Sequence, residues 1–327
     1  MRGLYFKKSE DGKIQCLLCP HTCVIAPDRH GRCRVRFNRR GELDLPYYGK
    51  LSAVSVDPIE KKPLYHFHPG SPILSVGFFG CSFRCPFCQN YDISQKTDSS
   101  IRSTSPETLV DLAEQKNSFG IAYTYSEPLI HYEYVLETAV LARRRGLKNV
   151  LVSNGFINPG PAEELLDNLD AANIDLKTFD PEFYSREIGG ELEAVKRFLR
   201  QAAGRIHIEV TTLVIPTKND SEKEIEEMAR FISDISPTIP YHLSCYYPTY
   251  KYSIPATEPG TVRRLAEAAR RHLTFVYLGN VGFEGSNTYC PSCSNLLIRR
   301  MGYSTRVLGI ERGQCIQCHS PMDIPGT

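Results

Sequence analysis

The stretch that decides the reading is "GCSFRCPFCQN", Gly80 to Asn90, with Cys81, Cys85 and Cys88 at C-x3-C-x2-C spacing. A structural metal site closes with four protein ligands, whereas a catalytic one keeps a position open. Three thiolates on one short loop can hold three irons of a cubane cluster, leaving the fourth without a protein ligand. A small molecule with an amine and a carboxylate could chelate that corner. The competing readings are a zinc site completed by a histidine, or simply buried thiols.

Working outward, the motif follows directly on the apolar run "ILSVGFF" (73–79). Five more runs have the content of buried parallel strands: "GIAYTY" (120–125), "NVLVSNG" (149–155), "ANIDLKTF" (172–179), "IHIEVTTLVI" (206–215) and "YHLSCYY" (241–247). Helical patterns separate them, one opening at Ser105-Pro106 and another running from 127 to a C-terminal glycine, Gly146. Further helical patterns cover 161–170, 192–204, 219–235 and 258–272. This repetition predicts an α/β fold, a partial (βα)6 barrel with a parallel sheet that "TFVYLG" (274–279) could extend. Such cores work at the C-terminal ends of their strands, where the cysteine loop lies. Three segments are expected: a cysteine-rich N-terminal module (1–70), the core (71–283) and a C-terminal four-cysteine hairpin (284–327).

The chain has 327 residues, 41% of them apolar, with 39 basic against 37 acidic side chains. No global field points to nucleic acid or a membrane surface. The opening "MRGLYFKKSEDGK" has no apolar core like that of a signal peptide. No apolar run approaches the ~20 residues that span a bilayer, so a cytoplasmic protein is expected. Eleven of the twelve cysteines fall in three tight groups, with Cys245 alone, which favours metal chemistry over disulfides.

With Phe87 before its third cysteine, the loop resembles the signature of the radical S-adenosylmethionine (radical SAM) superfamily. The wider string "GCSFRCPFCQNYDISQ" resembles pyruvate formate-lyase activating enzymes. "CLLCPHTC", "VDPIEKKPLYHFHPGS", "AYTYSEP" and "NTYCPSC" resemble the radical SAM proteins encoded beside Memo-like genes, the AmmeMemoRadiSam group. The resemblance implies a radical SAM barrel with a [4Fe–4S] cluster on Cys81, Cys85 and Cys88. S-adenosylmethionine (SAM) chelates its unique iron, with Phe87 near the adenine.

Glu127 and Pro128 keep half of the family's Gly-Gly-Glu-Pro turn, while Tyr125 and Ser126 replace its glycines. Glu127 would accept hydrogen bonds from the SAM amine; alternatively it is a carboxylate favoured by a helix N-terminus. Ser153 and Asn154 stand where relatives have Thr-Asn, near the ribose and methionine ends. Asp175 and Lys177 match a Leu-Asp-Leu-Lys segment beside a cation site and the SAM carboxylate. Val152 replaces one acid of that site, and from residue pattern alone the pair reads as a surface ion pair. Strand alternation puts Glu209 and Thr211, with His207, on one face that could line the barrel. His242 is a candidate for adenine or substrate contact, against a structural reading as a strand histidine.

The implied reaction is one-electron cleavage of SAM to methionine and a 5′-deoxyadenosyl radical that abstracts hydrogen, with the protein orienting SAM and excluding water. The implied partners are a one-electron reductant such as flavodoxin or ferredoxin and a protein or peptide substrate. A small metabolite or RNA is the alternative substrate, and a non-catalytic iron–sulfur electron-transfer protein the competing function. Cys290-x2-Cys293-x21-Cys315-x2-Cys318 has zinc-ribbon spacing and suits zinc or rubredoxin-type iron. Cys16, Cys19, Cys23 and Cys33 could bind zinc or a second cluster, with His21 able to replace one ligand. Six arginines from Arg29 to Arg40 surround Cys33; they read as a solvated face, or as a dock for an acidic donor, a protein substrate or RNA.

Overall fold

The computed structural model describes residues 1–98, 101–282 and 285–327. The expected boundary between core and C-terminal hairpin, at 283/284, lies outside the described residues. An eight-stranded sheet forms the core: β1 (Ala53–Pro58), β2 (Pro72–Gly77), β3 (Gly120–Thr124), β4 (Lys148–Ser153), β5 (Ala171–Asp175), β6 (His207–Val214), β7 (Tyr241–Cys245) and β8 (Val276–Gly279). Strand order in space follows order in sequence. β1 pairs antiparallel with β2, and every later neighbour pair is parallel. Among the described residues β1 and β8 do not pair, so the sheet stays open as a partial barrel. β1 comes from the stretch that sequence places in the N-terminal module.

The parallel strands are joined through α1 (Pro106–Gln115), α2 (Tyr132–Arg144), α3 (Pro159–Leu166), α4 (Leu192–Ala202), α5 (Glu222–Ile235) and α6 (Pro259–Arg270). Their ends follow local chemistry. Ser105 Oγ caps α1 by accepting from the Thr108 amide at 3.2 Å, with Pro106 at the first helical position. α2 ends in a Schellman motif: the amide of Leu147 donates to the Ala142 carbonyl and that of Gly146 to Arg143, with Gly146 at φ +75°. The helix expected from 127 starts instead with a tight 3-10 turn, Pro128–His131, because the Glu127 side chain bonds the Leu129 amide.

Both faces of the sheet are covered, which explains why its strands read as continuous apolar runs. Leu74, Val76, Ile121, Tyr123, Leu151 and Ile174 pack in the main core with the helices, whereas Ile73, Ala122, Val150 and Ala171 meet Ile59, Leu64 and Phe67. Residues 59–67 thus plug the lower interior of the barrel. Above the plug, Asp175, Thr211, His242 and Tyr277 stand in one row across β5 to β8. This gives the inner surface of the sheet a band of polar groups. Among the described residues no helix is long and apolar enough to cross a membrane.

The N-terminal module is a small sheet of Phe6–Lys8, Ile14–Cys16 and Val24–Ile25, with a hairpin of Phe37–Arg39 and Glu42–Asp44. It is held to α2 by a buried bidentate pair in which Arg36 donates twice to Glu133, at 2.9 Å each. The Leu4 amide also donates to Glu133 at 2.6 Å, and Arg36 to the Leu4 carbonyl at 2.7 Å. Arg36 is 2% exposed, so the arginine run is not wholly the solvated face expected; packing against α2 claims this one member. In the C-terminal module, Leu296–Met301 pairs with Ser304–Val307. Arg300, buried in that hairpin, lies 4.3 Å over the Tyr65 ring and donates to the Tyr65 carbonyl.

Removing one partner of a buried pair strands the other charge. Arg36→Leu is therefore expected to cost about 3–5 kcal/mol in urea unfolding, while Arg39→Ala, at an exposed pair, should change stability by less than about 1 kcal/mol.

Candidate active site

The cysteine loop leaves β2 through Gly80, at φ +77°, where an added Cβ would lie 2.5 Å from the Cys33 carbonyl. Inside the loop the Phe83 amide donates to Cys81 Sγ at 3.3 Å, Asn154 Nδ2 approaches the same sulfur at 3.8 Å, and Cys88 Sγ sits 3.2 Å from Ser94 Oγ. The Arg84 amide ties the loop to Ile188, and the Pro86 carbonyl accepts from Lys251. Phe87 is buried between Phe183 and Tyr252, at ring distances of 6.3 and 5.7 Å. Burial pushes the Cys85 thiol up to about 12 and the Cys81 thiol well above its usual value. Thiolates form here when a cationic group is present to bind them.

The three cysteines face a cavity of about 590 Å³ at the C-terminal strand ends. Phe87, Glu127, Asn154, Asp175, Lys177, Thr211 and His242 line it with them. Ser153 and Glu209 do not; each holds a lining residue from behind. Ser153 Oγ donates to Glu127 Oε1 at 2.6 Å, and the Asn154 and Leu129 amides donate to the same carboxylate at 3.0 Å each. Burial pushes Glu127 up to about 7 against these three donors, which pull the other way. Glu209 is fully buried and lies 2.6 Å from His242 Nε2 and 3.0 Å from His207 Nε2, while accepting from the His66 amide at 2.7 Å. Burial opposes its charge, but the bonds from His207 and His242 hold it well below the carboxylate range. Lys177 Nζ donates to Asp175 Oδ2 at 3.0 Å; both line the cavity, Lys177 largely buried and Asp175 partly exposed. Thr211 Oγ1 donates to Asn173 Oδ1 at 2.9 Å.

Sequence reasoning missed a group that reaches the cavity through Lys61 and Tyr125. Lys61 and Lys62 each donate to Asp57 at 2.8 Å, and the Tyr125 hydroxyl accepts from Lys62 and donates to Asp57. Tyr125 has φ +66°, a left-handed conformation that is strained for a residue with a side chain. Lys62 Nζ, 4.2 Å from the ring centroid, offsets that strain. The signal was the acid four residues before the Lys-Lys pair. The hairpin turn Gly302–Tyr303 also reaches the cavity.

The terminal groups differ in geometry. Cys290 Sγ lies 3.6 Å from Cys318 Sγ, and Cys293 Sγ 3.7 Å from Cys315 Sγ. Among the described residues this is the one group of three or more candidate ligands with all ligand atoms within 4.8 Å. It can hold a metal ion.

Residues 75–232 match the profile of the Radical SAM superfamily, and the homology extends to full-length and activating-enzyme relatives. The chain belongs to the radical SAM superfamily. An uncharacterized protein of Methanocaldococcus jannaschii is 38% identical over 331 residues, spanning 98% of each chain. A pyruvate formate-lyase-activating enzyme of Clostridium pasteurianum is 26% identical over 185 residues, covering 53% of this chain and 77% of that enzyme. The crystal structure of Streptococcus suis SuiB bound to S-adenosylmethionine shares the fold, with TM-score 0.51 and 14% identity over 68% of this chain and 53% of SuiB.

Radical SAM membership implies a [4Fe–4S] cluster and SAM. The loop fits such a cluster: among the described residues three thiols and no fourth line the cavity, and they are not gathered around a single ion. For the C-terminal group, replacing Cys290 and Cys315 with serine is expected to remove a single tightly held metal ion per chain and lower Tm. Mass-spectrometric metal analysis of the folded variant, with its loop iron unchanged, checks this.

Proposed function

We propose that this protein reductively cleaves SAM at a [4Fe–4S] cluster held by Cys81, Cys85 and Cys88, and abstracts hydrogen from a protein or peptide substrate. The carrying observation is a three-thiol wall facing a cavity that also presents a buried, hydrogen-bonded carboxylate. When bound, cluster and SAM supply the electron transfer and radical chemistry. The chain supplies placement. Glu127, fixed by Ser153 and two backbone amides, accepts hydrogen bonds from the amine of SAM. Lys177, oriented by Asp175, pairs with its carboxylate. Phe87 offers the adenine an apolar edge. His242, held by Glu209, and Thr211 face the substrate side, while the plug at 59–67 keeps water from the base of the barrel.

A macromolecular substrate is favoured by the cavity mouth. Tyr303 belongs to the cavity lining and is 61% exposed, with Met301 beside it at 63%. Exposed apolar side chains grouped at a site entrance mark a docking rim. The activating-enzyme relative is named for a protein target, which agrees. We assign the electron to a flavodoxin- or ferredoxin-type donor. Zinc is assigned to the C-terminal thiols, because tetrahedral sulfurs at ~2.3 Å from zinc stand about 3.8 Å apart. Twelve free cysteines suit the reducing cytoplasm.

Anaerobic incubation with SAM and dithionite is expected to yield 5′-deoxyadenosine, lost in Cys85→Ala and kept in Cys245→Ala. Deuterium entering that product from a labelled peptide supports the substrate class; deuterium entering from a metabolite or RNA pool instead overturns it. A second expectation concerns pH. Glu127 is neutral below its raised pKa of about 7 and accepts best when ionised, so SAM affinity should rise between about pH 6 and 8. Glu127→Gln should flatten that rise in equilibrium dialysis of the reconstituted protein.

A further inference from the structure

The N-terminal cysteines lie outside the cavity described above and take no part in the proposed reaction. Cys16, Cys19, Cys23 and Cys33 nevertheless line one small pocket together, closed by Leu18, Ile25 and Ile130. We propose that these four thiols bind a second iron–sulfur cluster of the [4Fe–4S] type, ligated at every corner by protein and seated against the catalytic loop. The inference is independent of the radical reaction.

Spacing separates a cluster from a single ion. Four sulfurs around zinc stand about 3.8 Å apart, as the C-terminal group nearly does at 3.6 and 3.7 Å. Among the described residues, no three of the N-terminal thiols have their sulfurs within 4.8 Å of one another. Cys81, Cys85 and Cys88 show the same wider spacing. In a cubane each thiolate binds a different iron, so the sulfurs must stand apart.

The surroundings of the pocket point to a ligand as well. Arg36 also lines the pocket. Its two terminal nitrogens are occupied by Glu133 and the Leu4 carbonyl, but its buried Nε has no partner among the described residues. A buried N–H is rarely left unpaired; a cluster sulfur in the pocket would pair it. Its charge would also offset part of the negative charge of four thiolates.

The site is joined to the catalytic loop by short contacts. His21 Nε2, within the cysteine motif, donates to the Ser82 carbonyl at 2.9 Å, and the Cys33 carbonyl is the group that Gly80 packs against. The Nε2 of His21 is thereby committed to the loop, and the four thiols of the pocket suffice to fill the four corners.

The test is iron and acid-labile sulfide analysis with Mössbauer spectroscopy on the full chain bearing Cys81→Ala, Cys85→Ala and Cys88→Ala. The expected result is retention of about four irons and four sulfides per chain, lost when Cys19→Ala and Cys33→Ala are added. A folded triple variant without labile sulfide, or with zinc at both terminal sites, overturns the proposal. Should the triple variant not fold, the reconstituted wild-type protein decides. About eight irons, half of them insensitive to SAM in the Mössbauer spectrum, support a second cluster; about four irons, all belonging to one SAM-sensitive species, overturn it. Failure of the catalytic reading is distinguishable, because it would leave the sulfide count of the triple variant unchanged.

Discussion

Where the chain leaves β2, the Cys33 carbonyl presses so closely on Gly80 that no side chain could stand there. That contact, with the bond from His21 to Ser82, fixes the start of the cysteine loop against the N-terminal module. The loop's other end is fastened by the Arg84–Ile188 and Lys251–Pro86 bonds. Between these anchors the three sulfurs have one direction to face, toward the strand ends. The N-terminal module is therefore a wall of the active site, and the Arg36–Glu133 pair, which bolts it to α2, bears on the geometry of the loop.

Buried carboxylates in and behind the cavity wall serve in different ways, and their donors decide which. Glu209 bonds two histidines and stays ionised, which turns it into an anchor for His242. Asp57 is likewise held ionised by Lys61, Lys62 and Tyr125, against the cost of burial. Among the described residues Glu127 meets one hydroxyl and two amides but no cation, and burial wins. It is left needing a further donor, which suits an acceptor waiting for an amine.

Much of this was legible in the chain. The βα rhythm was, because buried parallel strands are apolar on both faces and the helices between them carry ordinary caps. The cysteine groups were too, since ligand spacing is local. β1 was hidden: its Val54 and Val56 are exposed on an edge, so neither alternation nor an apolar run marks it. The plug at 59–67 was hidden because an irregular segment has no period. Arg36 looked like its neighbours in a basic run, and its partner Glu133 is 97 positions away. Strand alternation placed Glu209 and Thr211 on one face, but could not show that Glu209 lies too deep to reach the cavity. Depth depends on the register between strands, which pairs Glu209 with Asn173 and Thr211 with Asp175.

The central claim is that the loop leaves one iron open for the amine and carboxylate of SAM. Electron–nuclear double resonance on the reduced protein, with SAM carrying ¹⁵N at its amino group, addresses it directly. A ¹⁵N coupling strong enough to require a bond to iron is predicted, present in the wild type and absent when Cys81, Cys85 and Cys88 are replaced. A reduced cluster whose spectrum shows no such coupling at saturating SAM would contradict the account.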